Sequence, residues 1–195
     1  MTDNGSGIDR DQVAVAFLRH STSKIRVVED LFHVASLGFR GEALSSIASI
    51  AMVELITKTR DADAGVRYVI EGGAEKKLED MAAPDGTTFL VRSLFYNTPA
   101  RRKFLKSPMT EAGYISDLME RLALSRPDIS FQFINNGQTK LHTSGNHNLK
   151  DIIYGIYGRD IAANLLPVKA EGAFGRVEGF VEKPVISRGN RNFEN

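Results

Sequence analysis

Two glycines stand directly before a segment of helical spacing in Leu37-Gly38-Phe39-Arg40-Gly41-Glu42-Ala43-Leu44, and this loop-to-helix junction constrains the chain more than any other stretch. Beyond it Leu44, Ile47, Ala48 and Ala51 recur at helical intervals and mark one buried face. Gly38 and Gly41 can take backbone angles closed to other residues, so a ligand can approach the main chain there. A helix N-terminus behind such a loop offers unpaired N–H groups and a partial positive charge, both suited to phosphate. The same pattern also serves as a plain connection, and it matches neither standard phosphate-loop spacing.

Two further glycine segments bear on the choice. Asp3-Asn4-Gly5-Ser6-Gly7-Ile8 lies near the start, and Asp85-Gly86-Thr87-Thr88 opens the apolar run Phe89-Leu90-Val91. A carboxylate beside a glycine-rich turn can accept a hydrogen bond from a donor such as the exocyclic amine of adenine. A threonine hydroxyl can add a second polar contact in the same pocket. Read singly, each segment is equally a tight turn, since Asn-Gly and Asp-Gly are common turn dipeptides.

The pattern around these segments mixes helices and strands without regular βα alternation, which predicts an α+β sandwich rather than a doubly wound sheet. Helices are expected over residues 9–20, 28–35, 41–51, 111–125 and 149–157, the first opened by a capping-box-like Asp9 and Gln12. Pro99 is placed to begin a further short helix, and Pro127 to end the long one. Strands are expected over 53–59, 66–71, 87–95, 165–169 and 176–181, with a hairpin of 131–134 and 139–142 around Asn136-Gly137. The polar stretch Ser144-Gly145-Asn146-His147 is the best linker, so the domains divide at 1–143 and 144–195.

Composition narrows the function classes. The 195 residues are 42% apolar, enough for a packed core, and a net charge of +1 gives no whole-chain argument for nucleic acid. With no cysteine there are no disulfides and no cysteine-based zinc sites, which fits a reducing cytoplasm. No charged-then-apolar leader opens the chain, and the most apolar stretch, 44–56, falls short of a membrane span. His20, His33, His142 and His147 lack metal-ligand spacing, and no Gly-x-Ser-x-Gly elbow occurs. The basic cluster Arg101-Arg102-Lys103 with Lys106 reads either as a solvated helix end or as a contact to phosphate, including that of DNA.

Taken in order, Asp3-Asn4-Gly5-Ser6-Gly7-Ile8, Arg19-His20-Ser21-Thr22-Ser23-Lys24, Gly38-Phe39-Arg40-Gly41-Glu42-Ala43-Leu44 and Gly86-Thr87-Thr88 resemble the nucleotide-site motifs of the GHKL ATPases. The segment Leu94-Phe95-Tyr96-Asn97-Thr98-Pro99-Ala100-Arg101-Arg102-Lys103-Phe104-Leu105 is more particular, and with residues 38–44 it resembles the MutL family of DNA mismatch-repair proteins. The likeness covers essentially the whole chain. It implies a Bergerat-type ATPase sandwich followed by the start of a ribosomal-S5-like domain. It implies ATP as ligand, with Asp3 holding the adenine amine, Gly7 letting the base lie close, and Thr88 completing the adenine end. Thr22 and Ser23 would belong to a lid over the nucleotide. Gly38, Phe39, Arg40, Gly41, Glu42, Ala43 and Leu44 would cradle the phosphates.

The resemblance also implies Mg2+, DNA, a mismatch-recognition protein of the MutS family and a second copy of the chain as partners, in a bacterial, nucleoid-associated setting without membrane. Relatives carry a helix before the Asp-Asn-Gly segment, with a glutamate that activates water and an asparagine that ligates magnesium. Only Met1 and Thr2 precede Asp3, so neither role is assigned to a residue of this chain. The expectation is an ATPase fragment, short at both ends, whose main reading is an ATP-gated clamp in mismatch repair. The alternatives are a non-hydrolytic nucleotide-binding remnant, a DNA- or protein-binding module, or another GHKL member such as a gyrase-B-like protein.

Overall fold

The structure is a computed structural model, and it describes residues 1–22, 29–30, 38, 40–173 and 175–184. The expected helix at 28–35 lies almost wholly outside the described residues. The chain divides into two compact units, Met1–Leu105 and Lys106–Asn195.

The first unit is built on a five-stranded antiparallel sheet. Its strands are β1 (Thr2–Asp3), β2 (Met52–Lys58), β3 (Gly65–Glu71), β4 (Ala74–Met81) and β5 (Gly86–Arg92), in the order β1-β5-β2-β3-β4. In central β2, Val53, Leu55 and Thr57 are buried while the residues between them are half-buried, the alternation of a strand with one face on a core. That face carries α1 (Arg10–Val13), a 3-10 turn at Val15–Phe17, and α2 (Ala43–Ile50). Val13, Phe17, Ala48, Val53, Leu55, Val66, Tyr68 and Ile70 form the core, and the Phe17 and Tyr68 rings lie 5.2 Å apart. Burial in this core pushes the Tyr68 hydroxyl up to about 12, with Glu75 adding to the effect.

The opposite sheet face carries an ion ladder. Arg92 on β5 and Arg67 on β3 both grip Glu54 on β2, and Arg67 reaches on to Glu79 of β4, at 3.0, 2.6 and 2.9 Å. The Arg67 guanidinium, followed by that of Arg92, holds the Glu54 carboxyl below its ordinary range.

Sequence pattern and structure part most clearly at the first helix and at β4, while β1 is a further strand and the strand expected over 87–95 ends at Arg92. The expected helix at 9–20 is only α1 and the 3-10 turn, and Leu18 is already extended. Asp9 makes no side-chain cap, and the β-branched Val13 and Val15 weaken the helix, while Val13 and Phe17 still reach the core from one side. Strand β4, Ala-Glu-Lys-Lys-Leu-Glu-Asp-Met, was not expected at all, because an exposed edge strand tolerates charges that hide its period.

The second unit contains α4 (Pro108–Ser125), β6 (Gln132–Asn135), β7 (Gln138–His142), α5 (Leu149–Tyr157), α6 (Arg159–Ala163), β8 (Leu165–Gly172) and β9 (Gly175–Glu182); α3 (Pro99–Arg102) belongs to the first. Ser107 caps α4 by accepting from the Thr110 N–H, and Asn148 caps α5 through the Lys150 N–H. The expected hairpin at Asn136-Gly137 is present, both residues having positive φ as a tight primed turn requires. Ala123, Leu141 and Ile152 form this unit's core. Residues 144–147 are tied down: the His147 N–H donates to the Pro127 carbonyl, and the Asn146 amide donates to Asp151.

Candidate functional site

A cleft of about 1010 Å³ opens in the first unit between two walls. One wall is the Gly7-Ile8 turn with Asp9, Gln12, Val15 and Ala16. The other is Gly38, Arg40 and Gly41 with the start of α2 at Glu42, Ala43 and Leu44, and Ser21 and Thr22 border it.

The α2 end of the cleft is built for an anion. Glu42 occupies the cap position without a side-chain cap hydrogen bond, and no acidic residue lies in the first turn. Its carbonyl accepts the Ser46 N–H and the Ser45 hydroxyl. The Glu42 side chain thus makes no use of the first-turn N–H groups, and these, with the positive end of the helix dipole, lie at the cleft. Gly41 has φ +64°, and a Cβ there would overlap the Ser21 carbonyl. Gly7 has φ +72°, and a Cβ there would overlap the Lys58 carbonyl. Glycine is thus dictated at both walls by close backbone approach. The Glu42 carboxylate lies 3.3 Å from His20 Nδ1.

The C-terminal end of α2 is closed by the segment that made the sequence most distinctive. The Phe95 N–H donates to Ile50 O at 2.7 Å and the Asn97 amide to Ser49 O at 2.9 Å. The Gly73 and Gly72 N–H groups take the carbonyls of Ala48 and Ala51. All four carbonyls that a helix end leaves over are satisfied. Phe95 itself is left-handed, at φ 62°, which turns its N–H toward the helix. Asn97 was missed as a cap; a polar side chain just before a Thr-Pro helix start is the only trace of it in the sequence.

Outside the cleft lining, Asp3 is exposed on β1 and accepts the Gly5 N–H at 2.9 Å. In register, Asp3 pairs with Thr87, and Thr2 pairs with Thr88. Directly paired residues share a sheet face, so Thr87 stands on the Asp3 side while Thr88 lies on the other, its hydroxyl 3.0 Å from that of Thr2. The structure thus brings Thr87, not the expected Thr88, to Asp3. The period of two along a strand reverses the choice between adjacent threonines, and only the register decides it. Thr57, which the sequence reading passed over, is buried beside Thr87.

Of the remaining expected site residues, Gly7, Thr22, Gly38, Arg40, Gly41, Glu42, Ala43 and Leu44 meet around the cleft, and Asp3 does not line it. Ser23 and Phe39 lie outside the described residues. Arg101, Arg102 and Lys103, at the end of α3, are exposed and have no ion pair among the described residues. Among the described residues no group of three His, Cys, Asp or Glu side chains comes together as a metal site, so no donor set for Mg2+ is identified. Nor is any described helix long and apolar enough to cross a membrane.

No protein-family model matches the chain. It is 69% identical over 195 residues to the DNA mismatch repair protein MutL of Agathobacter rectalis, matching 100% of this chain and 30% of that protein. It is 49% identical over 191 residues to the protein of that name from Lactobacillus acidophilus, matching 98% of this chain and again 30% of the relative. The chain therefore spans about 30% of the length of the curated relatives it matches. Among solved structures, the Aquifex aeolicus MutL ATPase domain complexed with ADP matches with a TM-score of 0.70 at 26% identity, over 97% of this chain and 65% of that one. The N-terminal domain of a DNA repair protein matches with a TM-score of 0.68 at 26% identity, over 92% and 56% respectively.

Proposed function

This chain belongs to the MutL family, and on that premise we propose that its cleft binds an adenine nucleotide as part of an ATP-gated DNA mismatch repair protein. The observation that carries the reading is that the start of α2, not capped by the Glu42 side chain, and the Gly7-Ile8 turn line one cleft. Phosphates lie against the Ala43 and Leu44 N–H groups, Arg40 lowers the cost of their charge, and the base lies toward Asp3 and Thr87. Thr22, at the border of the cleft, lies beside the nucleotide. The related Aquifex aeolicus MutL ATPase domain is complexed with ADP, which supports the ligand class.

We propose too that nucleotide turnover, magnesium use, self-association and a MutS-family partner follow the family pattern. DNA meets Arg101, Arg102 and Lys103 through its phosphates. The passage from the ATPase-type part to the ribosomal-S5-like part lies near residues 143 and 144.

The reading is tested by thermal unfolding of the chain with ADP, pyrophosphate or neither. A ligand that binds only the folded state stabilises by about 2.7 kcal/mol at a hundred times its Kd. ADP should raise the Tm at concentrations where pyrophosphate raises it less. A Tm indifferent to ADP at millimolar concentration contradicts the proposal.

A further inference from the structure

Thr57 sits in the middle of the sheet, 1% exposed, at the junction of two loops far apart in sequence. Its Oγ1 accepts the Ile8 N–H at 2.9 Å, donates to the Gly86 carbonyl at 3.1 Å, and lies 3.1 Å from Thr87 Oγ1. A hydroxyl has one proton and two lone pairs. The Gly86 carbonyl can only accept and the Ile8 N–H can only donate. All three contacts are made together only when the Thr57 proton goes to Gly86 and one lone pair to Ile8. The second lone pair takes the Thr87 proton. Thr87 keeps its own lone pairs and has no proton left to give.

This fixes the polarity of the base end. Asp3 stands directly opposite Thr87 in the β1–β5 pairing, and one of its carboxylate oxygens is held by the Gly5 N–H. Two acceptors, a carboxylate and a hydroxyl whose proton is committed elsewhere, share one side of the sheet. A purine with an amine at position 6 offers donors to such a pair. A purine with a carbonyl at that position has only its N1–H to offer the pair, and sets its carbonyl against the second acceptor, which leaves polar groups unpaired.

We infer that Thr57 is a specificity-determining positioning residue, whose hydroxyl holds Thr87 as an acceptor beside Asp3 and thereby selects 6-amino over 6-oxo purine nucleotides. The inference rests on the adenine-nucleotide reading and adds to it a buried residue that touches no ligand. Replacing Thr57 by Val keeps the shape and removes the hydroxyl; the Thr87 hydroxyl then turns freely and can donate to a 6-oxo group. Thr57→Ser restores the network.

The experiment measures the affinities of ADP, IDP and pyrophosphate for the parent chain, Thr57→Val and Thr57→Ser, alongside each protein's Tm. Thr57→Val should lower the ADP-over-IDP preference about tenfold and leave pyrophosphate affinity within about twofold, and Thr57→Ser should keep the parent preference. An unchanged ADP-over-IDP ratio in Thr57→Val overturns the inference, as does a parallel loss of all three ligands with a fallen Tm, which marks a purely structural role. Should Thr57→Val not fold, Thr87→Val is read instead. It must weaken ADP at unchanged pyrophosphate affinity, and equal ADP affinity overturns the inference. A parent that binds neither ADP nor IDP overturns the proposed function and this inference together, whereas a parent that binds ADP with an unaltered Thr57→Val overturns the inference alone.

Discussion

Gly41 and Ser21 meet backbone to backbone: at φ +64°, a Cβ on Gly41 would overlap the carbonyl of Ser21. The loop that precedes α2 is thereby seated on the segment that borders the cleft. Gly41→Ala forces a left-handed alanine, at about 1–2 kcal/mol, and adds a clash with main chain that cannot rotate away. ADP affinity should fall at least about tenfold by that mechanism. A Cβ on Gly38 meets nothing within 4 Å among the described residues, so Gly38→Ala should change affinity by far less. Parallel ADP titrations of the two variants check the contrast, and equal losses would count against it.

The cap on α2 predicts a stability effect away from the cleft. Asn97→Ala frees the Ser49 carbonyl and should destabilise the first unit by about 1 kcal/mol, read as a lowered denaturant midpoint at unchanged slope. A wild-type midpoint would show that the amide contributes nothing.

Glu54, Glu79 and Asp128 are held below their ordinary carboxyl values, and two of them make the low-pH prediction. The Arg126 guanidinium grips both oxygens of Asp128 and holds its carboxyl down to about 2, from an ordinary 3.8. A carboxyl whose folded pKa is depressed adds stability that is present above the unfolded value and lost as pH falls through the folded one. That contribution should vanish between about pH 3.8 and 2. Glu54, held down by Arg67 and then Arg92, acts with the same sign below its ordinary 4.5. Tm measured from pH 5 to pH 2 should fall less steeply for Asp128→Asn than for the parent; parallel curves would sink the assignment. Glu54→Gln at neutral pH should cost about 0.5–1 kcal/mol, the scale of a largely solvated ion pair.

The basic cluster makes a prediction in salt. Each phosphate neutralised on duplex DNA adds about −0.9 to the slope of log affinity against log salt. Changing Arg101 and Arg102 together to Ala should flatten the slope by roughly two units. Affinities at several salt concentrations decide it, and an unaltered slope returns the two arginines to the solvated end of α3.

Much of this was legible in the sequence, for identifiable reasons. Helix α2 and Gly41 before it announced themselves because apolar spacing and a glycine at φ > 0 leave strong marks, and Asn136-Gly137 marked its hairpin. Strand β4 was invisible because an exposed edge carries charge rather than period. The choice of Thr87 over Thr88 depends on register with β1, which neither threonine encodes locally. Thr57 was hidden in the inward row Val53, Leu55, Thr57, where one hydroxyl among apolar neighbours looks like an ordinary strand residue. Its role appears only when β2 is set beside β5 and the Ile8 turn.

The most direct test of the central claim is calorimetric titration of ADP into the parent chain and Asp3→Ala. The account predicts saturable binding at one site in the parent and a loss of about 1.5–3 kcal/mol, some tenfold to hundredfold in affinity, in Asp3→Ala. Equal affinity of the two proteins, or no binding by the parent, would contradict it.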